Sequence, residues 1–457
     1  MLAFSVIAYL LVTILIGFWA SRRIQSADDF AVAGRKLPFF MSTAALFATW
    51  FGSETILGAS GEFIEHGLTG VIEEPIGAAL CLLLVGVFYA RKIYRSNQIT
   101  FSDLFKTRFG KRAELISAVV MIPSFFTWIA AQFLALGLIF QVIFGMSLTW
   151  GILIGAALVV FYTSLGGMWA VSVTDSVQMT VIIMGLLIVL GLMISRMNGQ
   201  DLFAELPESH FSLFDLKKIS IWQWFGAWIT VGLGSIASQD IFQRVIAAKD
   251  ERTAIRASLV SGLMYLVIGF VPLFIGLIGS RLYPELYQLH SENFVSALIM
   301  YQTPEWIRIV FFGALVSAIL STASGALLAP STVLAENILK PYIRTVSLLA
   351  VMRWSVLIMA VISVILVFNN KSIFELVSLA SSFGLVSLFL PFTFTLFVAK
   401  TNEFAVIGGM IGGLAAWGLA SWMSTSIPAI FYGLMVSFLF LLIGILFFKS
   451  STYDAAT

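Results

Sequence analysis

AALFATWFGSETILG, residues Ala44–Gly58, lies in the middle of a run long enough to cross a bilayer. It nevertheless carries Gly52, Ser53, Glu54 and Thr55 in succession, where a lipid-facing helix would read Leu, Val and Phe. Polar, glycine-bearing backbone at membrane depth is tolerated only where it is buried in protein or lines a cavity. The stretch therefore predicts a helix broken at a binding site.

The surrounding composition supports a membrane setting. Of the 457 residues 60% are hydrophobic and 11% charged, whereas a soluble domain carries roughly 25% charge. Apolar runs of bilayer length fall at about 2–20, 38–66, 70–90, 113–143, 147–166, 170–196, 221–242, 256–280, 305–336, 351–369, 372–398, 403–422 and 427–448. These predict about 13 transmembrane helices in an all-α integral membrane protein. The first run lacks a basic leader and a small-residue cleavage site, so it reads as a retained helix. Most of the 26 Lys and Arg fall in loops of one side, among them Arg22, Arg35, Arg91, Arg95, Arg108, Arg244 and Lys249. The other side keeps Arg196, Lys217, Lys218, Arg281, Arg308 and Lys371. The positive-inside rule then puts the N-terminus outside and the C-terminus in the cytoplasm, as expected of a plasma-membrane protein. One cysteine and three histidines argue against a disulfide framework or a Cys/His metal site. The phosphate-binding pattern GxxxxGK[ST] is absent, which argues against ATP-driven pumping. Ser102–Gly110, SDLFKTRFG, predicts a short amphipathic helix along the inner surface with Ser102 as its N-cap.

The seventh run repeats the anomaly of the second, with Gly232, Gly234, Ser235, Ser238 and Gln239 at mid-membrane. The two interrupted runs are five apart and so cross in opposite senses. Paired interrupted helices in two inverted halves point to a transporter's midplane site. The expected organisation is one transporter domain with a 5+5 inverted repeat, about 38–196 and 221–398, and peripheral helices at about 2–20, 403–422 and 427–448.

Two further stretches carry chemistry. In ALVSAILSTASGALLAP, Ala314–Pro330, the residues Ala318, Ser321 and Thr322 share one helical face. Two readings fit: hard oxygen ligands for a small cation, or small residues that permit close helix packing. In TSLGGMWAVSVTDSVQ, Thr163–Gln178, Gly166-Gly167 permit a tight turn and Asp175 follows one to two turns into the next run. An intramembrane carboxylate is a functional candidate; an interfacial carboxylate paired with a loop Arg is the alternative.

These motifs resemble the sodium:solute symporter family, which has the leucine-transporter-like fold. Its GG…TDxxQ pattern is present as Gly166-Gly167 and Thr174–Gln178, its QR pattern as Gln243-Arg244, and its AxxS[ST] pattern as Ala318, Ser321 and Thr322. The resemblance implies a Na⁺ site between the second and ninth runs. Its donors would be the carbonyls of Ala48, Phe51 and Ala318 and the hydroxyls of Ser321 and Thr322, with Asp175 on the ion's exit path. For a second Na⁺, Ser324 fits the family pattern but Gly325 replaces a serine. The implied function is Na⁺-coupled uptake of a small polar organic solute by alternating access. Neither an organic cofactor nor a nucleic-acid partner is expected. Substrate candidates by position are Trp50, Glu54, Thr55, Glu74, Trp128, Gln132, Ser238 and Gln239. Ala48-Thr49-Trp50, Trp128–Ala131 and Phe242–Arg244 are most similar to the choline-transporting branch, although Ser238 stands where that branch has a third Trp. A proton-coupled symporter and a non-transporting sensor or channel are the alternatives.

Overall fold

The computed structural model describes residues 1–199, 206–215, 219–289, 294–368, 372–423 and 425–448; Lys217, Lys218 and Lys371 lie outside them. Ten stretches among these are helical, long and apolar enough to cross a membrane. In chain order the elements that matter are α1 (Leu2–Ser21), α2 (Phe39–Phe47), α3 (Glu54–Ser96), α4 (Phe101–Phe109), α5 (Lys111–Phe144), α6 (Leu148–Arg196), α7 (Ile221–Gly234), α8 (Gln239–Ala247), α9 (Glu251–Leu282), α10 (Glu305–Leu339), α11 (Leu348–Val367), α12 (Ile373–Phe397), α13 (Glu403–Met423) and α14 (Ala429–Phe447).

Two of these double back. Thr55 in α3 donates to Glu74, 19 residues on, at 2.6 Å. A straight helix would hold those residues roughly 28 Å apart. The corner is Gly67, at φ 68°, where a side chain would collide with the His210 backbone. In α6 the Tyr162 hydroxyl donates to the carbonyl of Ala170 at 3.1 Å, again beyond the reach of a straight helix. Here the corner is Gly167, at φ 46° and ψ −153°, the turn that the Gly166-Gly167 pair foretold.

Depth follows side-chain size. In its most apolar window α10 is 89% buried, against 22% for α1 and 28% for α14, so α10 runs through the centre and the terminal helices form the rim. Its Ser, Ala and Gly residues allow neighbours to approach closely; Gly185 of α6, for example, packs against Ala314 and Val310.

Both expected breaks are present. Helix α2 ends at Phe47, and the turn through Ala48–Gly52 is tightened by a bond from Gly52 N to Trp50 O at 2.7 Å. Thr49 Oγ1 donates back to Ala45 O at 2.9 Å, a local alternative to the helical ladder. The break thus begins at Ala48, a few residues ahead of the Gly52–Thr55 cluster that signalled it. In the second break α7 tightens through Ser235–Ala237, Ser238 is extended, and α8 restarts at Gln239.

The lower ends of the two broken helices are joined through their main chains. Leu37 N donates to Ala247 O at 3.0 Å, and Lys249 N donates to Leu37 O at 2.9 Å.

Helix α4 corrects a sequence expectation. Its N-cap is Thr100, which forms a reciprocal capping box with Asp103, and Phe101, Ser102, Asp103, Leu104 and Phe105 are all buried. Arg108 fixes its other end to the carbonyls of Val398 (2.6 Å) and Ala399 (2.9 Å). Its N-terminal half is packed into the protein, while Lys106 and Thr107 stay exposed.

Candidate functional site

A cavity enclosing about 550 Å³ of non-protein space, part of it open to solvent, lies between the two breaks, α5 and α12. Trp50, Glu54, Glu74, Trp128 and Ser238 all line it, as their positions in the sequence suggested. The structure adds Phe125, Asp240 and Ser381.

The two glutamates are held by neutral donors. Trp128 Nε1 donates to Glu54 Oε1 at 3.2 Å and Gln132 Nε2 to Glu54 Oε2 at 3.0 Å. Ser53 Oγ stands 3.2 Å from Glu54 Oε2 and 3.0 Å from Gln132 Oε1. Glu74 Oε1 accepts from Thr55 Oγ1 at 2.6 Å and from the Tyr265 hydroxyl, and those two hydroxyls lie 2.7 Å apart. Thr55 and Gln132 therefore sit behind the cavity wall and orient the glutamates. Gln239 departs further from expectation. Its side chain accepts from Phe101 N at 2.6 Å and donates to Ile99 O at 3.3 Å, which ties α8 to the start of α4. Successive helical residues point about 100° apart, so its neighbour Asp240 takes the cavity face instead. Asp240 was detectable in the sequence as a carboxylate within an apolar run.

On the far side of the first break the oxygens of α10 meet α2. Thr322 Oγ1 donates to Ala48 O at 3.2 Å. Ala318 lies one turn earlier on the same buried helix, and Phe51 follows Ala48 in the broken turn. Gly52 is required here: a Cβ would sit 2.6 Å from Thr322 Oγ1. Ser321 Oγ donates to Asp175 Oδ1, so the carboxylate of α6 sits directly beside this hydroxyl. Its other oxygen, Oδ2, meets no donor among the described residues. A hydroxyl whose proton is committed to a carboxylate presents only lone pairs elsewhere, which suits a hard cation.

Arg244 completes the region. Fully buried, its Nε donates to Ala45 O at 3.0 Å and its Nη1 to Asp240 O at 3.4 Å. It is within electrostatic reach of both Asp175 and Asp240. Any side chain at Gly325 would collide with its Nη2, which explains why glycine stands at that position. Ser324 Oγ is spent on Ser321 O at 2.9 Å.

The model of the sodium:solute symporter family matches residues 30–413. The chain belongs to the sodium:solute symporter family. Among curated relatives of this symporter, the high-affinity choline transporter 1 of Caenorhabditis elegans is 25% identical over 94% of this chain and 79% of its own. The sodium/proline symporter of Escherichia coli (strain K12) is 28% identical over 96% of this chain and 91% of its own. Among solved structures, a Na⁺-coupled sialic acid symporter in a substrate-bound outward-open state matches with a TM-score of 0.81 at 18% identity, over 99% of this chain and 98% of that one. The symporter therefore has the leucine-transporter-like fold expected from its motifs, and it is a multi-pass membrane transporter.

Proposed function

We propose that this symporter takes up a small polar organic solute by alternating access, bound in the cavity between the two breaks and coupled to Na⁺ at the junction of Ala48 and α10. The observation that carries this reading is the bond from Thr322 to the Ala48 carbonyl, because it joins the broken turn that lines the cavity to the central helix. An ion held by the carbonyls of Ala48, Phe51 and Ala318 and the hydroxyls of Ser321 and Thr322 takes the place of that bond. It draws the same two elements together with a full charge. Uncharged oxygens alone suit a monovalent ion that must also leave, whereas Ca²⁺ favours carboxylates. Asp175 polarises Ser321 and offers its free oxygen along the exit path. Because the break carries both the ion's carbonyls and the cavity residues Trp50 and Glu54, each ligand favours the geometry the other needs. The coupling is reciprocal, and it extends only as far as each ligand's differential affinity for the states.

The two broken helices support reading 38–196 and 221–398 as inverted halves, with the terminal helices peripheral. The loop charges support an outside N-terminus in the plasma membrane. A choline transporter and a sodium/proline symporter are among the relatives, and choline and proline are both small polar solutes.

The test is uptake into proteoliposomes at graded Na⁺. Ser321→Ala and Thr322→Ala should raise the half-saturating Na⁺ concentration about tenfold or more, with the ion-saturated rate much less affected. Wild-type Na⁺ dependence in both variants would remove the assigned site. Full uptake driven by a proton gradient without Na⁺ would make this a proton symporter.

A further inference from the structure

We propose that the solute carried in the cavity is an organic cation with at least one N–H and no carboxylate: a protonated amine or amidine. The inference rests on the cavity being the transport site.

Charge is the first argument. Glu54, Glu74 and Asp240 all line the cavity, and no Lys, Arg or His does. The groups bonded to the two glutamates are an indole, an amide and hydroxyls, and among the described residues no ion pair reaches either side chain. They also lie within electrostatic reach of each other. Arg244 serves Asp175 and Asp240 from behind the wall and does not enter the cavity. Buried carboxylates are either paired or protonated, and a cation arriving in the cavity supplies the pairing that the protein does not.

Unused lone pairs are the second argument. Asp240 is fully buried, and no donor among the described residues reaches its carboxylate oxygens in good hydrogen-bond geometry, although the Ser238 hydroxyl and the amides of Asp240 and Ile241 stand beside them. Both hydrogen bonds to the Glu74 carboxylate fall on Oε1. Oxygens in this condition are satisfied by directional N–H donors; a cation without N–H neutralises the charge but leaves the lone pairs unmet.

The third argument excludes an anionic group. In transporters with broken helices, the N-terminus of a half-helix receives the substrate's anionic end. Here the first turn of α8 carries its own carboxylate, Asp240, so a substrate carboxylate meets repulsion there. The remaining wall is largely apolar, with Trp50, Phe125 and Trp128 among its lining. Such faces attract a cation, but Ser238 supplies no further ring, so the enclosure is not built for a quaternary ammonium alone.

The test uses the purified full-length protein with a panel of matched probes: 2-(dimethylamino)ethanol, ethanolamine, choline, glycine betaine, proline and glucose. Thermal stabilisation with and without Na⁺ is read first, and Na⁺-driven uptake in proteoliposomes second. Protonated amines should stabilise at concentrations at least tenfold lower than choline, and glycine betaine, proline and glucose should not stabilise. Glu74→Gln should weaken the amine tenfold or more while leaving the stabilisation by Na⁺ alone unchanged. Choline equal to or tighter than its dimethyl analogue, tight binding of a zwitterion or a sugar, or no binding by any amine would each overturn the proposal. Failure of the parent reading looks different. Amine binding that ignores Na⁺ would refute the coupling and spare the substrate class, whereas Na⁺-dependent proline binding would refute the class and spare the coupling.

Discussion

Gly52→Ala is the sharpest probe of the junction between the broken turn and α10. The added methyl would sit 2.6 Å from Thr322 Oγ1 and 3.1 Å from Thr322 Cβ. Gly52 does not adopt a positive φ, so alanine brings no backbone strain; the methyl presses first on Thr322 and also comes within 3.2 Å of Glu54 Oε2. Ordinary contact begins at 3.4 Å, so Thr322 must retreat by about 0.8 Å, and the cost of such overpacking is about 1–3 kcal/mol. The retreat lengthens the 3.2 Å link to Ala48 O and spreads the ion's donors. If that energy is taken entirely from ion binding, the half-saturating Na⁺ concentration rises about 5- to 150-fold. The assay is Na⁺ activation of uptake in proteoliposomes, with Na⁺-dependent thermal stabilisation as a readout independent of transport. Gly61→Ala is the control, because a methyl there meets nothing within 4 Å. In a Thr322→Ala background the Gly52 substitution should add little, since the oxygen it displaces is already gone. Wild-type Na⁺ activation in Gly52→Ala, or full additivity with Thr322→Ala, would refute the assignment of Thr322 to the ion.

Three further outcomes follow from the same geometry. Asp175→Asn removes a charge-assisted bond worth about 1.5–3 kcal/mol from Ser321; half-saturating Na⁺ should rise about tenfold, and the effect should be non-additive with Ser321→Ala in the same uptake assay. Gly325→Ser forces the Arg244 guanidinium off its seat against α10; disturbing a buried, paired charge should lower stability by about 2 kcal/mol or more, read as a fall in Tm without Na⁺. Asn337→Ala breaks bonds to Asp103 (2.8 Å) and Glu114 (2.9 Å) and loses the acceptor for Thr100 (2.9 Å). It should lower stability by about 2 kcal/mol, read as a fall in Tm.

Both breaks were legible because glycine clustered with Glu, Gln and hydroxyl residues in the middle of an apolar run goes beyond what close helix packing needs. The turn at Gly166-Gly167 was legible for a similar reason. The spacing of Ser321 and Thr322 alone favoured helix packing, and the family motif suggested an ion site; in the fold Thr322 reaches Ala48 of the first break while Ser321 turns to Asp175. What composition could not resolve was direction. Gln239 and Asp240 are adjacent and both polar, yet one is turned toward α4 and the other toward the cavity, a distinction set by helical phase at a restart whose first residue the sequence does not mark. Thr55 and Gln132 were placed in the right neighbourhood but in the supporting layer, because their partners Glu74 and Glu54 come from other parts of the fold or from the restart itself. Helix α4 was read as an amphipathic surface helix capped by Ser102; the sequence does not show that its cap is Thr100 or that the charges of Asp103 and Arg108 have partners inside the protein. The partners that bury those charges, Asn337 and the carbonyls of Val398 and Ala399, lie more than 200 residues away in sequence.

The pair of backbone bonds between Leu37 and the Ala247–Lys249 segment works as a yoke. One broken helix leads into the turn that carries Ala48 and Phe51 and the other supplies Asp240, and both hang from the same short crossbar. A tilt imposed on either is inherited by its twin with no relay of side chains between them. Since the crossbar is made only of peptide groups, most substitutions leave it whole, and proline at 37 or at 249 is the replacement that deletes a donor. Cargo selectivity can therefore drift in the cavity while the stroke that moves the cargo is inherited unchanged.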